Sequence, residues 1–143
     1  IYTDADTMAT TKLCNIIHPH DQFISGVGMR KDLHQWIIIS LPNHPFINIA
    51  LEGIVNSILY TNPPKNNIAL EYWTGPPMYN ISIDYFCKRH GEILDMSPGI
   101  HKCPNSTNTY RIINGDFLGN NVIFKYKGYL DDLQKMGIKH WSS

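Results

Sequence analysis

The sequence predicts a mixed α/β domain, and three observations carry that prediction. Helical periodicity is strongest across residues 46–60, where Phe46, Ile47, Ala50, Ile54, Val55 and Ile58 recur at three- and four-residue steps. A short apolar run, Trp36-Ile37-Ile38-Ile39, suits a buried strand. Residues 122–126 alternate as a strand does. At 143 residues the chain is one domain's worth, long enough to bury a core.

Taken in order, Ile1-Tyr2 reads as the last two residues of a strand, because strands normally run about five or six residues. That abrupt start predicts a chain whose front part is missing. Asp4-Ala5-Asp6 follows at once, and residues 23–29 are punctuated by glycine. Leu41-Pro42-Asn43-His44-Pro45 marks a stop and a restart. Asn43 or His44 caps the next helix, with Pro45 at its first position, where a missing N–H is harmless. Asn62-Pro63-Pro64-Lys65-Asn66-Asn67 reads as a loop. A second, short helix is expected at about residues 79–88, after a Thr74-Gly75-Pro76-Pro77 turn. Residues 90–121 read as irregular, with turn signals at Pro98-Gly99, Pro104-Asn105 and Asn114-Gly115. A last helical turn or two is expected over residues 131–136, closed by Gly137.

Composition narrows the function classes. The hydrophobic share of 43% and charged share of 17% are ordinary for a soluble globular domain. Twelve basic residues balance twelve acidic ones, so no field draws in nucleic acid or an anionic membrane. No apolar run approaches the roughly 20 residues that span a bilayer. Cys14, Cys87 and Cys103 form no C-x-x-C pair, which argues against a zinc knuckle. One disulfide with a leftover thiol and three buried thiols both stay open. Twenty Ile and thirteen Asn against four Ala read as the codon bias of an AT-rich genome rather than as chemistry.

Asp4 and Asp6 sit two apart just after a strand end. In an extended segment that spacing turns both carboxylates to one face, where they can share a divalent cation. Hard oxygen ligands suit Mg²⁺ or Mn²⁺, completed by phosphate oxygens, and such an ion neutralises a diphosphate leaving group. The same two acids also fit a solvated turn. Haloacid-dehalogenase-type phosphatases open with D-x-D too, but have Thr or Val two residues after the second Asp, where Met8 stands here. A calcium loop wants further acids and a Gly, and Thr7-Met8-Ala9 supplies neither.

Further blocks follow in order along residues 1–141: Ile1-Tyr2-Thr3-Asp4-Ala5-Asp6-Thr7, then Gln35-Trp36 with Leu41-Pro42-Asn43-His44-Pro45. After them come Trp73-Thr74-Gly75-Pro76 with Asp84-Tyr85-Phe86, and His140-Trp141-Ser142. This ordered set resembles glycosyltransferase family 32, closest to its fungal initiating alpha-1,6-mannosyltransferases. The resemblance implies a GT-A fold, an α/β sandwich whose central sheet binds a sugar nucleotide. Residues 1–143 would be a single domain, the part from the D-x-D strand end to the C-terminus.

Asp4 and Asp6 would then hold Mn²⁺ (or Mg²⁺) on the donor diphosphate, with His140 as a further metal ligand. Trp141 and Ser142 would close over the donor, and Gly75, Pro76 and Trp36 would meet the acceptor or sugar. The implied reaction is retaining transfer of a hexose, from GDP-mannose first and a UDP-hexose second, to a glycan, lipid or other hydroxyl acceptor. No nucleophile is named, since the diphosphate itself can serve as base. Without strands before Ile1 the chain is expected to bind donor poorly, with a sheet edge exposed beside Ile1. The compartment stays open, Golgi for a fungal-like protein and cytoplasm for a viral or bacterial one.

Two departures from the family pattern stand out. Asn43 replaces a Gly, and Asn80-Ile81 stands near where Thr-Asp is usual. The second supports another reading, a non-catalytic remnant that survives as an interaction domain. Each single residue also has a plain structural reading. His140 fits an exposed terminal histidine, Trp141 and Trp36 fit packing, and His44 fits a cap or a packed ring. Gly75-Pro76 fits a simple turn, and the His18-Pro19-His20-Asp21 cluster reads as a loop before it reads as a metal site. Asn80-Ile81-Ser82 and Asn105-Ser106-Thr107 match the glycosylation sequon, and Asn105 is the better placed, in a loop.

Overall fold

The structure, a computed structural model, describes residues 1–4, 7–9, 11–28, 31–62, 67–114, 123–126 and 128–139. Its elements run β1 (Tyr2–Thr3), β2 (Thr7–Ala9), a 3-10 turn (Leu13–Asn15), β3 (Phe23–Val27) and β4 (Leu33–Ser40). Then come α1 (Pro45–Tyr60), α2 (Asn67–Thr74), α3 (Pro76–Arg89), β5 (Gly99–Lys102), β6 (Thr109–Asn114), β7 (Ile123–Lys125) and α4 (Tyr129–Lys135). Five strands form one sheet in the order β1-β4-β3-β6-β5, and β2 pairs with β7 in a separate ribbon. β3 and β6 are parallel, while β1, β3 and β5 each meet their other neighbour antiparallel. β1, β3 and β6 therefore end on one edge of the sheet, and β1 is an outermost strand.

Period two decides which residues face which layer. Along β6, Tyr110 and Ile112 enter the larger core while Ile113 packs against the smaller one on the opposite face. The larger core lies under the helices. Phe46 and Ala50 of α1 meet Tyr79, Ile83 and Cys87 of α3, which repeat every four residues as one stripe of a helix must. α1 and α3 approach closely at Gly53, where any Cβ would lie 2.1 Å from the Ser82 hydroxyl. The second face is covered by Ile16 and Ile17, which close over Ile24, Ile37 and Ile39. Arg111 secures that cover: its Nε donates to Asp21 at 2.7 Å, and its Nη2 to the Ile16 carbonyl.

Four readings need correction. Residues 90–121 are not irregular throughout, because β5 and β6 form an antiparallel pair within them. The Pro-Gly and Pro-Asn signals mark the bounds of those strands, while the alternation of Thr109–Asn114 carries the strand itself. The second helix begins at Pro76, since proline at the first position starts α3 ahead of Tyr79. α2 was not expected at all. The apolar stripe of α1 also overstates burial, for Phe46 and Ala50 are buried but Val55 and Ile58 are half exposed.

His44 fixes where α1 starts. Its Nδ1 accepts from the Phe46 amide at 3.3 Å, and its Nε2 lies 3.1 Å from the Thr109 carbonyl. A carbonyl only accepts, so Nε2 carries the proton and Nδ1 is bare: the ring is the neutral tautomer. It stacks on Phe23 at 4.9 Å and is 1% exposed. Burial lowers its pKa and outweighs the carbonyl contact, which acts the other way. Asn43 takes φ 61, a left-handed conformation open to Gly and tolerated by Asn. The cap is His44 rather than Asn43.

Asn80 fixes the other end of the helix layer. Its Oδ1 accepts from the Leu33 amide at 2.7 Å, and its Nδ2 donates to the Leu33 and Pro76 carbonyls, each at 3.0 Å. One side-chain amide thus satisfies both backbone groups of the first β4 residue, which Asp cannot do because a carboxylate only accepts. Asn80→Asp is expected to lower unfolding free energy by about 1–3 kcal/mol. A urea titration would read this as a lower midpoint with an unchanged slope.

His44 makes stability depend on pH. Above the ordinary imidazole value of 6.5 the ring is neutral whether folded or unfolded, and its contribution is complete. As pH falls below 6.5 the unfolded chain takes up a proton that the folded chain resists, so stability falls. The slope is at most about 1.4 kcal/mol per pH unit. Urea titrations of the native chain and His44→Gln at pH ~7 and ~5 should show the gap between them narrowing at the lower pH.

Candidate functional site

The edge where β1, β3 and β6 end gathers the residues of interest. β1 lies two places from β3, so their ends are roughly 10 Å apart. Asp4 follows β1 directly. Its amide donates to the Trp36 carbonyl at 3.0 Å, and its own carbonyl accepts from the Thr7 amide at 3.1 Å, which closes a tight turn. The Tyr2 hydroxyl donates to Asp4 Oδ1 at 2.9 Å, a consequence of the two-residue spacing that puts both side chains on one face. That hydrogen bond, then burial and the carboxylate's charge, raise the Tyr2 pKa, so the phenol stays a donor.

Of the other expected metal and donor ligands, Asp6, His140, Trp141 and Ser142 lie outside the described residues. Among the described residues no three His, Cys, Asp or Glu side chains are grouped to hold a metal ion. The turn at Asp4 leads into β2, and β2 pairs with β7 in the register Thr7↔Lys125, Met8↔Phe124, Ala9↔Ile123. Residues more than a hundred positions apart in sequence are thereby neighbours of the acidic turn.

The three residues expected to meet sugar are on different layers. Trp36 packs against the smaller core, its ring 4.6 Å from that of His34. Gly75 is the N-cap of α3 and Pro76 its first residue, on the opposite face. Their carbonyls are engaged in the helix start: Gly75 accepts from the Tyr79 amide at 3.2 Å and Pro76 from Asn80. The His18-Pro19-His20-Asp21 segment is a loop whose one buried acid is used internally. Burial opposes ionisation of Asp21, but the Arg111 guanidinium and the His18 amide outweigh it and lower its pKa. All three cysteines are free thiols, with Cys14 exposed and Cys87 and Cys103 buried. Asn105 is exposed at φ 47, whereas the Asn80 amide of the other sequon is fully engaged.

A groove of about 820 Å³ opens on the helix face near the same edge, bounded by the end of β3, α3 and the segment before β5. Val27, Leu94 and Met96 form its apolar part, with Ile93 at its rim, 88% exposed. Asp84, Asp95 and Lys31 bring the charges. Asp95 is held in place: its Oδ1 accepts from the Ser97 amide at 2.9 Å and hydroxyl at 2.7 Å, and its amide donates to the Tyr110 hydroxyl at 3.0 Å. The Ser97 hydroxyl, more than any other group, holds the Asp95 carboxyl below the usual carboxylate range. Sequence reasoning missed the groove, because residues 91–98 carry turn signals and no periodicity. Only their path along α3 brings Asp95 towards Asp84.

No protein-family model, curated protein or solved structure matches the chain, so its placement rests on its own residues.

Proposed function

We propose that the chain carries the metal-binding and acceptor-side residues of a nucleotide-sugar glycosyltransferase of the GT-A type. It would move a hexose, mannose first, from a nucleoside diphosphate to a hydroxyl acceptor. The observation that carries the reading is the position of Asp4, in a turn at the carboxyl edge of the sheet, oriented by Tyr2 and leading into the β2–β7 pair. That pairing sets β7 beside the strand that follows Asp4.

The donor set suits a hard cation as far as it is described. Asp4 offers carboxylate oxygen, and the Tyr2 hydrogen bond fixes its orientation as an outer partner does for a metal ligand. Asp4 and Asp6, with His140, would hold Mn²⁺ or Mg²⁺. Bound there, the ion supplies Lewis-acid neutralisation of the departing diphosphate. Tyr2 keeps the Asp4 carboxylate aimed, and Trp141 and Ser142 would exclude water from the donor.

A second reading, a non-catalytic domain descended from such an enzyme, draws support from Asn80. Its amide is committed to β4 and α3 near the position where the family often has Asp, so it offers nothing to an acceptor.

Donor hydrolysis tests the proposal. With the full-length gene product, Mn²⁺ and a panel of GDP- and UDP-sugars, one donor should turn over, and Asp4→Ala/Asp6→Ala should abolish that turnover. Tyr2→Phe should raise the Mn²⁺ concentration for half-maximal rate by about tenfold, the low end for an outer-sphere partner. A folded protein that turns over no donor would sink the transferase and leave the interaction domain.

A further inference from the structure

α1 is apolar on two opposite sides, and the core uses only one of them. Phe46, Ala50 and Ser57 are its buried residues. Val55 follows Phe46 by nine residues, about two and a half turns, which sets it on the far side of the helix. Leu51, Ile58 and Leu59 flank Val55 there, and each of the four side chains is 50–63% exposed. A helix that is apolar all round is normally covered all round. Glu52 is the only charged residue in Pro45–Tyr60, so α1 lacks the Lys and Arg with which an amphipathic helix lies on a lipid surface. The outer stripe is also its own complement, because Leu51 and Leu59 stand four residues either side of Val55. Turned end for end about a two-fold axis at Val55, a second α1 sets Val55 on Val55 and Leu51 on the other copy's Leu59. The two Glu52 carboxylates then lie about 9 Å apart along the helix axis, on the flanks of the contact. With a formal net charge of +0, two copies meet without the repulsion that keeps strongly charged proteins apart.

We propose that the outer face of α1 docks a second copy of this chain, helix against helix and antiparallel about Val55. The four side chains present roughly 400 Å² of apolar surface, the size of patch that marks an interaction site. Two such stripes bury about 800 Å² together. The flanks of α1, with Leu70 and Tyr72 exposed on the adjoining α2, bring the contact to the roughly 1,200 Å² at which specific interfaces begin. A contact of that size holds a reversible dimer rather than an obligate one. None of these residues belongs to the acidic turn, so the dimer and the transferase stand or fall separately.

Sedimentation velocity from about 1 to 200 µM should show a monomer–dimer equilibrium with a micromolar dissociation constant. Val55→Asp sets two carboxylates face to face at the two-fold and should raise that constant by about a hundredfold. Its far-UV circular dichroism should stay native, since Val55 is half exposed in the single chain. Cross-linking gives a readout that does not rely on a charged variant. In a Cys14→Ser background, which removes the exposed native thiol, Val55→Cys should form a disulfide-linked dimer on oxidation. Ile100→Cys, as exposed but on the outermost strand β5, should not. A protein that stays monomeric throughout, a dimer indifferent to Val55→Asp, or cross-linking through Ile100→Cys in place of Val55→Cys would each overturn the proposal. So would monomeric protein that co-sediments with phosphatidylcholine vesicles and loses that binding in Val55→Asp, since the stripe would then meet lipid.

Discussion

One buried imidazole holds three parts of this fold in register. His44 caps the first turn of α1, donates to the carbonyl at the start of β6 and stacks on Phe23 at the start of β3. The cap needs the neutral tautomer, because only a bare Nδ1 can accept, and burial enforces it. Phe46 then follows from the cap, driven into the core, where it meets Phe23, Phe86 and Tyr110. Loss of a ring so placed costs about 3–5 kcal/mol in other cores, a large part of any domain's stability. Both ring nitrogens are occupied by the backbone, so His44 is a structural residue despite its place in a motif-like block.

The helix layer is pinned at its opposite end by Asn80. Its amide reads the peptide groups of Leu33, and α3 cannot slide along β4 without breaking that pair. Between the two anchors the Tyr79, Ile83 and Cys87 stripe fixes rotation of α3, and Gly53 sets how closely α1 approaches it. A rigid helix layer leaves variation to the carboxyl edge. There the segment before β5 leaves α3 tied to the core by Leu94 and Met96, while Asp4 follows β1, an outermost strand.

Legibility in the sequence tracked the range of the interactions. The cap at His44, the proline-led start of α1 and the turn at Gly137, with φ 70, are local devices that a short window contains. The strand at residues 36–39 was visible, but its extension to Leu33–Ser40 was not, because Leu33 and His34 belong to β4 through pairing and burial rather than composition. β5 and β6 were hidden by proline, glycine and asparagine at their ends. Asn80 looked like a departure from a functional pattern, and only its distance to Leu33 gives it a structural purpose. The acidic turn was legible as a motif, while its hydrogen bond from Tyr2 followed from spacing that no motif emphasises.

The sequence by itself determined the mixed α/β class, the strongest helix with its cap and proline, and the chemical character of the acidic turn. Those depend on φ preferences, periodicity and side-chain charge, which residues carry wherever they stand. Tertiary structure alone decided the strand order β1-β4-β3-β6-β5, the pairing of β2 with β7 and the groove in which Asp84 meets the segment before β5. Those depend on contacts between residues far apart in the chain, whose partners are chosen by burial and backbone hydrogen bonding across the whole fold. No local signal encodes such a choice.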